Sequence, residues 1–139
     1  EMLIDFAVNG ESEQGNQLFE ACPGGAPCNV LAMLNKLGRK TAFIGKVGDD
    51  QFGKLLKDTI TNTGIEAKGL VMDQDIHTTL AFVHTFPDGD REFSFYRKPG
   101  ADMMLKEEEV DYDLIRQSKV FHFGTLSMTD EPAKSATRL

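Results

Sequence analysis

The stretch Gly24-Gly25-Ala26-Pro27-Cys28-Asn29 decides the fold, because it joins a β-rich segment directly to a clear helical pattern. Two adjacent glycines carry no side chains, so another element or a ligand can approach the backbone closely there. Pro27 suits the first turn of a helix, and apolar residues then recur at helical spacing as far as Leu37. The sequence therefore predicts a strand, a close turn and an amphipathic helix over Pro27 to Leu37.

Strand and helix patterns alternate on both sides of this turn. Asp50 can cap a second helix that ends at Gly64. Such alternation is typical of an α/β fold with a mainly parallel sheet flanked by helices. The strands predicted in this part are Met2 to Val8, which ends at the turn pair Asn9-Gly10, then Gln17 to Cys22, and Thr41 to Val47.

An antiparallel hairpin is predicted in the second half of the chain. Thr78 to Phe86 and Arg91 to Arg97 are β-rich and are joined by the turn-forming run Pro87-Asp88-Gly89-Asp90. We expect this hairpin to project from the main sheet. A short helix over Lys106 to Gln117 and a strand over Val120 to Gly124 then continue the pattern. The chain is expected to be one α/β body with a small β appendage.

Composition indicates an ordinary globular domain. The 139 residues include 22 acidic and 15 basic side chains, giving a formal charge of -7, which disfavours binding to nucleic acid or anionic lipid. No apolar run approaches the roughly 20 residues that span a bilayer. Cys22 and Cys28 are too few for a disulfide scaffold, so free thiols in a reducing cytoplasm are expected. The chain opens inside a strand pattern and stops in a helical pattern after Glu131 without a cap, which indicates a fragment.

Asp5 is the first candidate site residue, because it interrupts an apolar strand. A carboxylate in such a strand either lies in a crevice at the strand end or carries a large desolvation cost. Ligands of open α/β sheets bind in that crevice, where an ionised carboxylate could accept two hydrogen bonds from a sugar diol. A solvent-facing edge position is the alternative interpretation.

Gly24, Gly25 and Asn29 form the second candidate group. The start of the helix offers unpaired N–H groups, and the amide of Asn29 can both donate and accept hydrogen bonds. Such groups suit neutral hydroxyls. A tight turn before a capped helix explains the same residues equally well.

Phe95 and Arg97 are the third candidates. Phe93, Phe95 and Arg97 alternate along the predicted hairpin and therefore share one face, which could close over a ligand. The alternative is an arginine whose stem lies across aromatic surface while its charge stays in water.

Other chemistries are poorly supported. The run Gly45 to Gly53 lacks the glycine spacing of phosphate-binding loops and is interpreted as a turn and helix start. The three histidines lack ligand partners at metal-site spacing. Ser127 lacks the second glycine of a hydrolase nucleophile elbow. Glu107, Glu108 and Glu109 are interpreted as an exposed helix start.

In their order along the chain, these features resemble the ribokinase/PfkB family of carbohydrate kinases. The resemblance runs from Asp5 through the Gly24 to Asn29 run and Gly38 to Phe43-Ile44-Gly45-Lys46-Val47-Gly48, Asp50, Phe52-Gly53 and Phe95-Tyr96-Arg97. Within the family, fructokinases are the most similar in Gly24 to Pro27, Thr79 to Val83, Phe95 to Asp102 and Val120 to Gly124.

The resemblance implies a ribokinase-like fold with β-lid segments at about 9–22 and 78–98. It implies ATP-dependent phosphorylation of a sugar's primary hydroxyl, most nearly D-fructose to fructose 6-phosphate, with Mg²⁺ on the nucleotide and possible use of a monovalent cation. Asp5 and Asn29 would bind sugar hydroxyls, Gly24 and Gly25 would form the floor of the site, and Phe95 and Arg97 would belong to the lid. Lid pairing would make a cytoplasmic homodimer.

The resemblance also leaves alternatives open. In related 2-keto-3-deoxygluconate kinases the arginine matching Arg97 meets the acid group of the substrate, so a sugar-acid kinase is one alternative and a nucleoside-type kinase is another. A non-catalytic sugar-binding relative is a third. The family's Gly-Ala-Gly-Asp signature, which carries the catalytic base, does not occur in this sequence. No catalytic residue is therefore assigned, the ATP-binding part is expected outside residues 1–139, and the segment is expected to be inactive alone.

Overall fold

The computed structural model describes residues 1–86 and 88–138, so Pro87 of the predicted hairpin turn and Leu139 of the predicted last helix lie outside the described residues. The strands are β1 (Leu3–Glu11), β2 (Gln17–Gly24), β3 (Ala42–Gly48), β4 (Glu66–Asp73), β5 (Leu80–Thr85) and β6 (Arg91–Tyr96). The α-helices are α1 (Ala26–Lys36), α2 (Gln51–Thr63), α3 (Tyr112–Gln117) and α4 (Ala133–Thr137), and short 3₁₀ helices cover Ala101–Met103, Glu107–Glu109 and Thr125–Met128.

The strands form two sheets. The larger sheet has the order β2-β1-β5-β6, in which β1 runs parallel to β5 and the two outer pairs are antiparallel. β3 and β4 form a separate parallel pair, and α2 connects them. The predicted α/β class, with parallel strands and an antiparallel hairpin, is confirmed.

The turn into α1 depends on Gly25. Its φ angle is 113°, and a Cβ atom there would lie only 2.6 Å from the Glu1 carbonyl oxygen. A side chain at this position would therefore be strained and would also collide with the backbone at the start of the chain. Pro27 occupies the first turn and is buried, as is Cys28. The predicted helix is confirmed, with a start one residue earlier.

Asp50 fixes the start of α2. Its Oδ1 atom accepts a 2.8 Å hydrogen bond from the Gly53 N–H and another of 2.8 Å from the Thr78 hydroxyl, while Oδ2 accepts from the Thr78 N–H. A side chain at Gly53 would overlap the Gly48 carbonyl oxygen, so the helix can approach β3 only with glycine there. Gly64 ends the helix in the left-handed conformation at φ 89°, as predicted.

The hydrophobic core lies between α2, β1 and the β3–β4 pair. Burying these apolar side chains is the main source of stability for the fold. Its buried members are Met2, Ile4, Cys28, Phe43, Val47, Leu56, Ile60 and Ile65, with Phe6, Phe52 and Leu80 among the partly buried residues that pack against them.

A buried charge cluster lies beside this core and corrects two interpretations of the sequence. Lys46 lies in β3, within the predicted strand Thr41 to Val47 but also in the run Gly45 to Gly53 interpreted as a turn, and only 5% of its side chain is exposed. Its ammonium group contacts Asp73 and Glu109, both at 2.8 Å, and donates to the Met104 carbonyl oxygen. Glu109 is therefore not part of a purely exposed helix start, because it neutralises a buried lysine.

The predicted strand Val120 to Gly124 is wrong. In the described part of the chain no strand pairs with this segment, and Val120 is 81% exposed. An apolar β-rich sequence becomes a strand only when a neighbouring strand accepts its backbone hydrogen bonds.

Two predicted boundaries also differ. The strand β1 continues through Asn9-Gly10, where its register with β2 shifts and Gly10 takes φ 83°, so this pair forms an irregularity rather than the turn. The helix predicted over Lys106 to Gln117 is α-helical only from Tyr112, because the Asp111 carboxylate accepts from the Asp113 and Leu114 N–H groups and caps α3 there.

Candidate functional site

The register of the larger sheet places Asp5 and Phe95 on one face. Asp5 is opposite Cys22 on β2 and Ala81 on β5, and Ala81 is in turn opposite Phe95 on β6. Directly opposed residues of neighbouring strands point to the same side of a sheet. Since two strand spacings of roughly 4.8 Å separate them, the Cα atoms of Asp5 and Phe95 lie about 10 Å apart across this face.

The Asp5 carboxylate is partly buried and lies against Gly24. A Cβ atom at Gly24 would overlap Asp5 Oδ2, so only glycine leaves room for the carboxylate. Within residues 1–86 and 88–138, no N–H or O–H group donates a hydrogen bond to the Asp5 carboxylate. Burial raises its pKa, because the charged form loses water without gaining a donor. Both carboxylate oxygens are therefore free to accept hydrogen bonds from a ligand.

Asn29 lies in the first turn of α1, after the N-cap residue Gly25. Its backbone N–H donates to the Gly25 carbonyl oxygen at 3.0 Å, and its side chain is exposed. Gly24 ends β2 beside the Asp5 carboxylate, and Gly25 follows as the residue before α1. The β2–α1 junction thus links Asp5, both glycines and the first turn of α1, although the carboxylate and the Asn29 amide are not hydrogen bonded to each other.

Phe95 adds an exposed aromatic surface to the Asp5 face. Its ring stacks on that of Phe93 with centroids 5.9 Å apart, and half of Phe95 is exposed. The other face of the sheet carries a different aromatic cluster, in which Phe6 contacts Phe82 and the Phe52 ring of α2. The aromatic residues of the hydrophobic interior and those of the candidate site are therefore on opposite faces.

Arg97 is not directed freely into solvent. Its Nε and Nη2 atoms both donate to Asp102 Oδ2, at 2.9 and 2.7 Å, and Nε also lies 3.2 Å from Oδ1, so one edge of the guanidinium is paired with the carboxylate. The guanidinium of Arg97 is therefore not a charge exposed to water, which was one prediction. It is also not a lid cation that is freely available to a ligand, which was the other. The strand β6 ends at Tyr96, so Arg97 lies just beyond the alternation that carries Phe93 and Phe95, and its charge already has an internal partner.

A cavity of about 660 Å³ opens beside β6. It does not include Asp5, Gly24 or Asn29, so it is distinct from the surface around the free carboxylate. Phe95 of β6 and Arg97, which follows that strand, are among its lining residues. The remaining lining includes Asp50, Phe52, Leu80 and Tyr96.

Asp102 and Thr79 are the site residues that sequence reasoning missed. Asp102 accepts hydrogen bonds from both Arg97 and the Thr79 hydroxyl. The sequence signal for Asp102 was the short run from Arg97 through Pro99-Gly100 to Asp102. A turn at the proline and glycine can bring the Asp102 carboxylate back to the Arg97 guanidinium. The Thr79 contact links separate parts of the chain, and nothing in the local pattern indicates it.

No metal site is formed by the described residues. In residues 1–86 and 88–138, no group of three or more His, Cys, Asp or Glu side chains could hold a metal ion. The described residues therefore do not fit Mg²⁺ or another cation on their own. No helix in the described residues is both long and apolar enough to cross a membrane.

Comparison with known proteins supports the same family as the sequence motifs. The chain is 48% identical to "Probable fructokinase-5" of Arabidopsis thaliana over 98% of its own length and 43% of the relative. It superposes on a fructokinase with bound ATP from Xylella fastidiosa with a TM-score of 0.90 and 35% identity, covering 99% of this chain and 44% of that one.

A fructokinase from Vibrio cholerae O395 with bound fructose, ADP and calcium ion gives a TM-score of 0.78 at 28% identity, covering 99% of this chain and 42% of that one. The chain thus spans less than half the length of these relatives, and its fold is the ribokinase-like α/β fold of these fructokinase structures. The pfkB family carbohydrate kinase profile matches residues 1–139. The chain therefore belongs to the pfkB family of carbohydrate kinases.

Proposed function

We propose that the full-length protein is a fructokinase, which transfers the terminal phosphoryl group of ATP to the primary hydroxyl of D-fructose, and that this segment supplies the sugar site. One observation carries the proposal: the partly buried Asp5 carboxylate lies against Gly24 and accepts no hydrogen bond within residues 1–86 and 88–138. A desolvated carboxylate without donors is costly for folding and is matched by a ligand with neighbouring hydroxyls.

The sugar would be held from several directions. Asp5 would accept hydrogen bonds from two hydroxyls, while Gly24 and Gly25 would let the ring approach the backbone closely. The Asn29 amide would donate to or accept from a further hydroxyl. Phe95 would cover an apolar face of the sugar. These groups orient a neutral polyol, and orientation supplies much of the rate in phosphoryl transfer.

The larger sheet would act as the lid of this site. Segments 9–22 and 78–98 form strands in the same sheet as Asp5, and Phe95, in the second segment, lies on the Asp5 face of that sheet. Closure over the sugar would exclude water from the transferred phosphoryl group and so limit ATP hydrolysis. We further propose a homodimer formed by pairing of this sheet between subunits, in a cytoplasmic enzyme.

ATP and Mg²⁺ belong to this proposal through the relatives. The Xylella fastidiosa fructokinase binds ATP in its crystal structure. No residue of the present chain is assigned to the nucleotide, to Mg²⁺ or to a monovalent cation. The catalytic base is likewise not assigned.

A substrate screen of the full-length protein tests the proposal. ADP release would be measured with fructose, ribose, 2-keto-3-deoxygluconate and a nucleoside, using wild type and Asp5→Ala. Fructose should give the highest kcat/KM. Asp5→Ala should lower it by at least about 100-fold, because each lost hydrogen bond to a charged acceptor is worth about 1.5–3 kcal/mol.

Asp58→Ala is the matched control, since Asp58 is exposed on α2 and makes no side-chain hydrogen bond to the described residues. Wild-type turnover of ribose or a nucleoside in preference to fructose would reject the fructose assignment. Fructose binding without any ADP release would instead favour a non-catalytic sugar-binding relative. Unchanged turnover in Asp5→Ala would remove Asp5 from the site.

A further inference from the structure

Arg97 and Asp102 form a buried ion pair close to the end of β6. The Arg97 side chain is 16% exposed and the Asp102 side chain only 2% exposed. Three donor atoms serve the Asp102 carboxylate: Nε and Nη2 of Arg97 and the hydroxyl of Thr79. A carboxylate so deeply buried is stable only when it is paired and hydrogen bonded, and both conditions are met here.

Gly100 shows how tightly the pair is enclosed. A Cβ atom at this position would overlap the Thr79 hydroxyl and would lie 2.9 Å from Asp102 Oδ1 and 3.0 Å from Arg97 Cγ. The backbone therefore passes directly beside all three side chains, which leaves the guanidinium little freedom to turn away from Asp102.

The pairing changes what Arg97 can offer a substrate. A guanidinium has five N–H donors, and its planar edges match a carboxylate in the same two-bond geometry. The edge formed by Nε and Nη2 is already occupied by Asp102. The remaining N–H groups can still donate to hydroxyl oxygens, but the positive charge of Arg97 is balanced by the negative charge of Asp102.

We infer that Asp102 is a specificity-determining residue that restricts the sugar site to neutral sugars and rejects sugar acids. This inference rests on the proposed function, because it assumes that the substrate lies beneath Phe95 and Arg97. A substrate carboxylate would have to compete with Asp102 for the guanidinium and would also meet the Asp102 charge. Like charges brought close together in a site are strongly unfavourable.

The inference is tested with the full-length protein and the variant Asp102→Asn, which keeps the shape of the side chain but removes its charge. The measured quantity is the ratio of kcat/KM for 2-keto-3-deoxygluconate to kcat/KM for fructose. The ratio should rise at least about tenfold in Asp102→Asn, mainly through a lower KM for the acid. Asp58→Asn on the exposed face of α2 should leave the ratio unchanged.

The outcomes separate this inference from the proposed function. If wild type phosphorylates fructose and Asp102→Asn is folded with an unchanged ratio, Asp102 is only structural and the inference is overturned. If wild type phosphorylates neither sugar, the proposed function is wrong, and the inference, which rests on it, is wrong as well. Should Asp102→Asn fail to fold, Asp102→Ser, which also removes the charge, is measured in its place with the same two outcomes, and equal or better use of the sugar acid by wild type overturns the inference in either case.

Discussion

The Asp5 carboxylate occupies the space that a side chain at Gly24 would need. The two residues belong to neighbouring antiparallel strands, with Gly24 opposite Leu3 in the register that places Asp5 opposite Cys22. Because Gly24 has no side chain, it leaves the space that the Asp5 carboxylate fills. Its role goes beyond a turn, since Gly24 is the last residue of a strand.

Gly24→Ala should displace the Asp5 carboxylate. We expect kcat/KM for fructose to fall at least about tenfold and the free energy of unfolding to fall by about 1–3 kcal/mol, as for other overpacked sites. Steady-state kinetics and urea denaturation of the full-length protein measure the two effects. In the Asp5→Ala background the added methyl group should cost much less of both. Additive losses would show that Gly24 acts independently of Asp5.

Asp5→Asn should leave the protein at least as stable as wild type at neutral pH. Burial raises the pKa of Asp5 in the folded state above its ordinary value of 3.8, so the ionised carboxylate is less favourable when folded than when unfolded. The stability of wild type relative to the variant should therefore decrease as pH rises from about 3 to 6. Thermal unfolding across that range checks the prediction, and a wild type that gains relative stability with pH contradicts it.

Lys46→Met should destabilise the protein strongly. Removing one partner of a buried ion cluster costs about 3–5 kcal/mol, because Asp73 and Glu109 would remain close together without their cation. Lys54→Met is the matched control: Lys54 pairs with Asp49 at 3.3 Å but is 66% exposed, so its loss should cost less than about 1 kcal/mol. Equal effects of the two substitutions in urea denaturation would contradict the buried-cluster interpretation.

The Lys46 cluster also predicts a dependence on pH. Burial by itself would raise the pKa of Asp73, but hydrogen bonds from Lys46 and from the Asp75 and Ile76 backbone lower it from 3.8 to about 2. This lowering stabilises the fold at pH values above 3.8 by about 2 kcal/mol, and the stabilisation is lost as pH falls through about 2. The stability difference between wild type and Lys46→Met should therefore shrink below pH 4.

Cys22 should report on occupation of the site, because it lies opposite Asp5 and is half-buried. Burial, Glu20 and Asp5 raise its pKa above the usual 9.0, so alkylation should be slow at pH 7 and faster above pH 9. Fructose should slow it further in wild type but not in Asp5→Ala. Burial raises the pKa of Cys28 to about 12, which should leave this thiol unlabelled. Mass spectrometry of the alkylated full-length protein distinguishes the two thiols.

Local signals explain what could be predicted from the sequence. The helix after Gly25 was recognisable because a proline, an apolar stripe and a terminal glycine lie within a dozen residues. Asp50 was recognisable as a cap because its partner, the Gly53 N–H, is three residues away. Asp5 stood out because a charge in an apolar strand requires an explanation whatever the strand packs against.

Features that depend on distant partners were not predictable in this way. The strand β4 was missed because its sequence mixes charged and apolar residues, and its pairing with β3 determines its conformation. The segment Val120 to Gly124 has the composition of a strand but no strand partner in the described residues. Lys46, Asp73 and Glu109 meet across 63 residues of sequence, a distance at which no spacing rule applies.

Thr78 and Thr79 place two adjacent hydroxyls in different networks. The Thr78 hydroxyl donates to the Asp50 carboxylate, which caps α2. The Thr79 hydroxyl donates to the Asp102 carboxylate, which pairs with Arg97. The two residues before β5 are therefore hydrogen bonded into two networks, whereas Asp88 and Gly89 at the far end of the hairpin are exposed. A displacement of β5 at this point would therefore break hydrogen bonds in both networks at once.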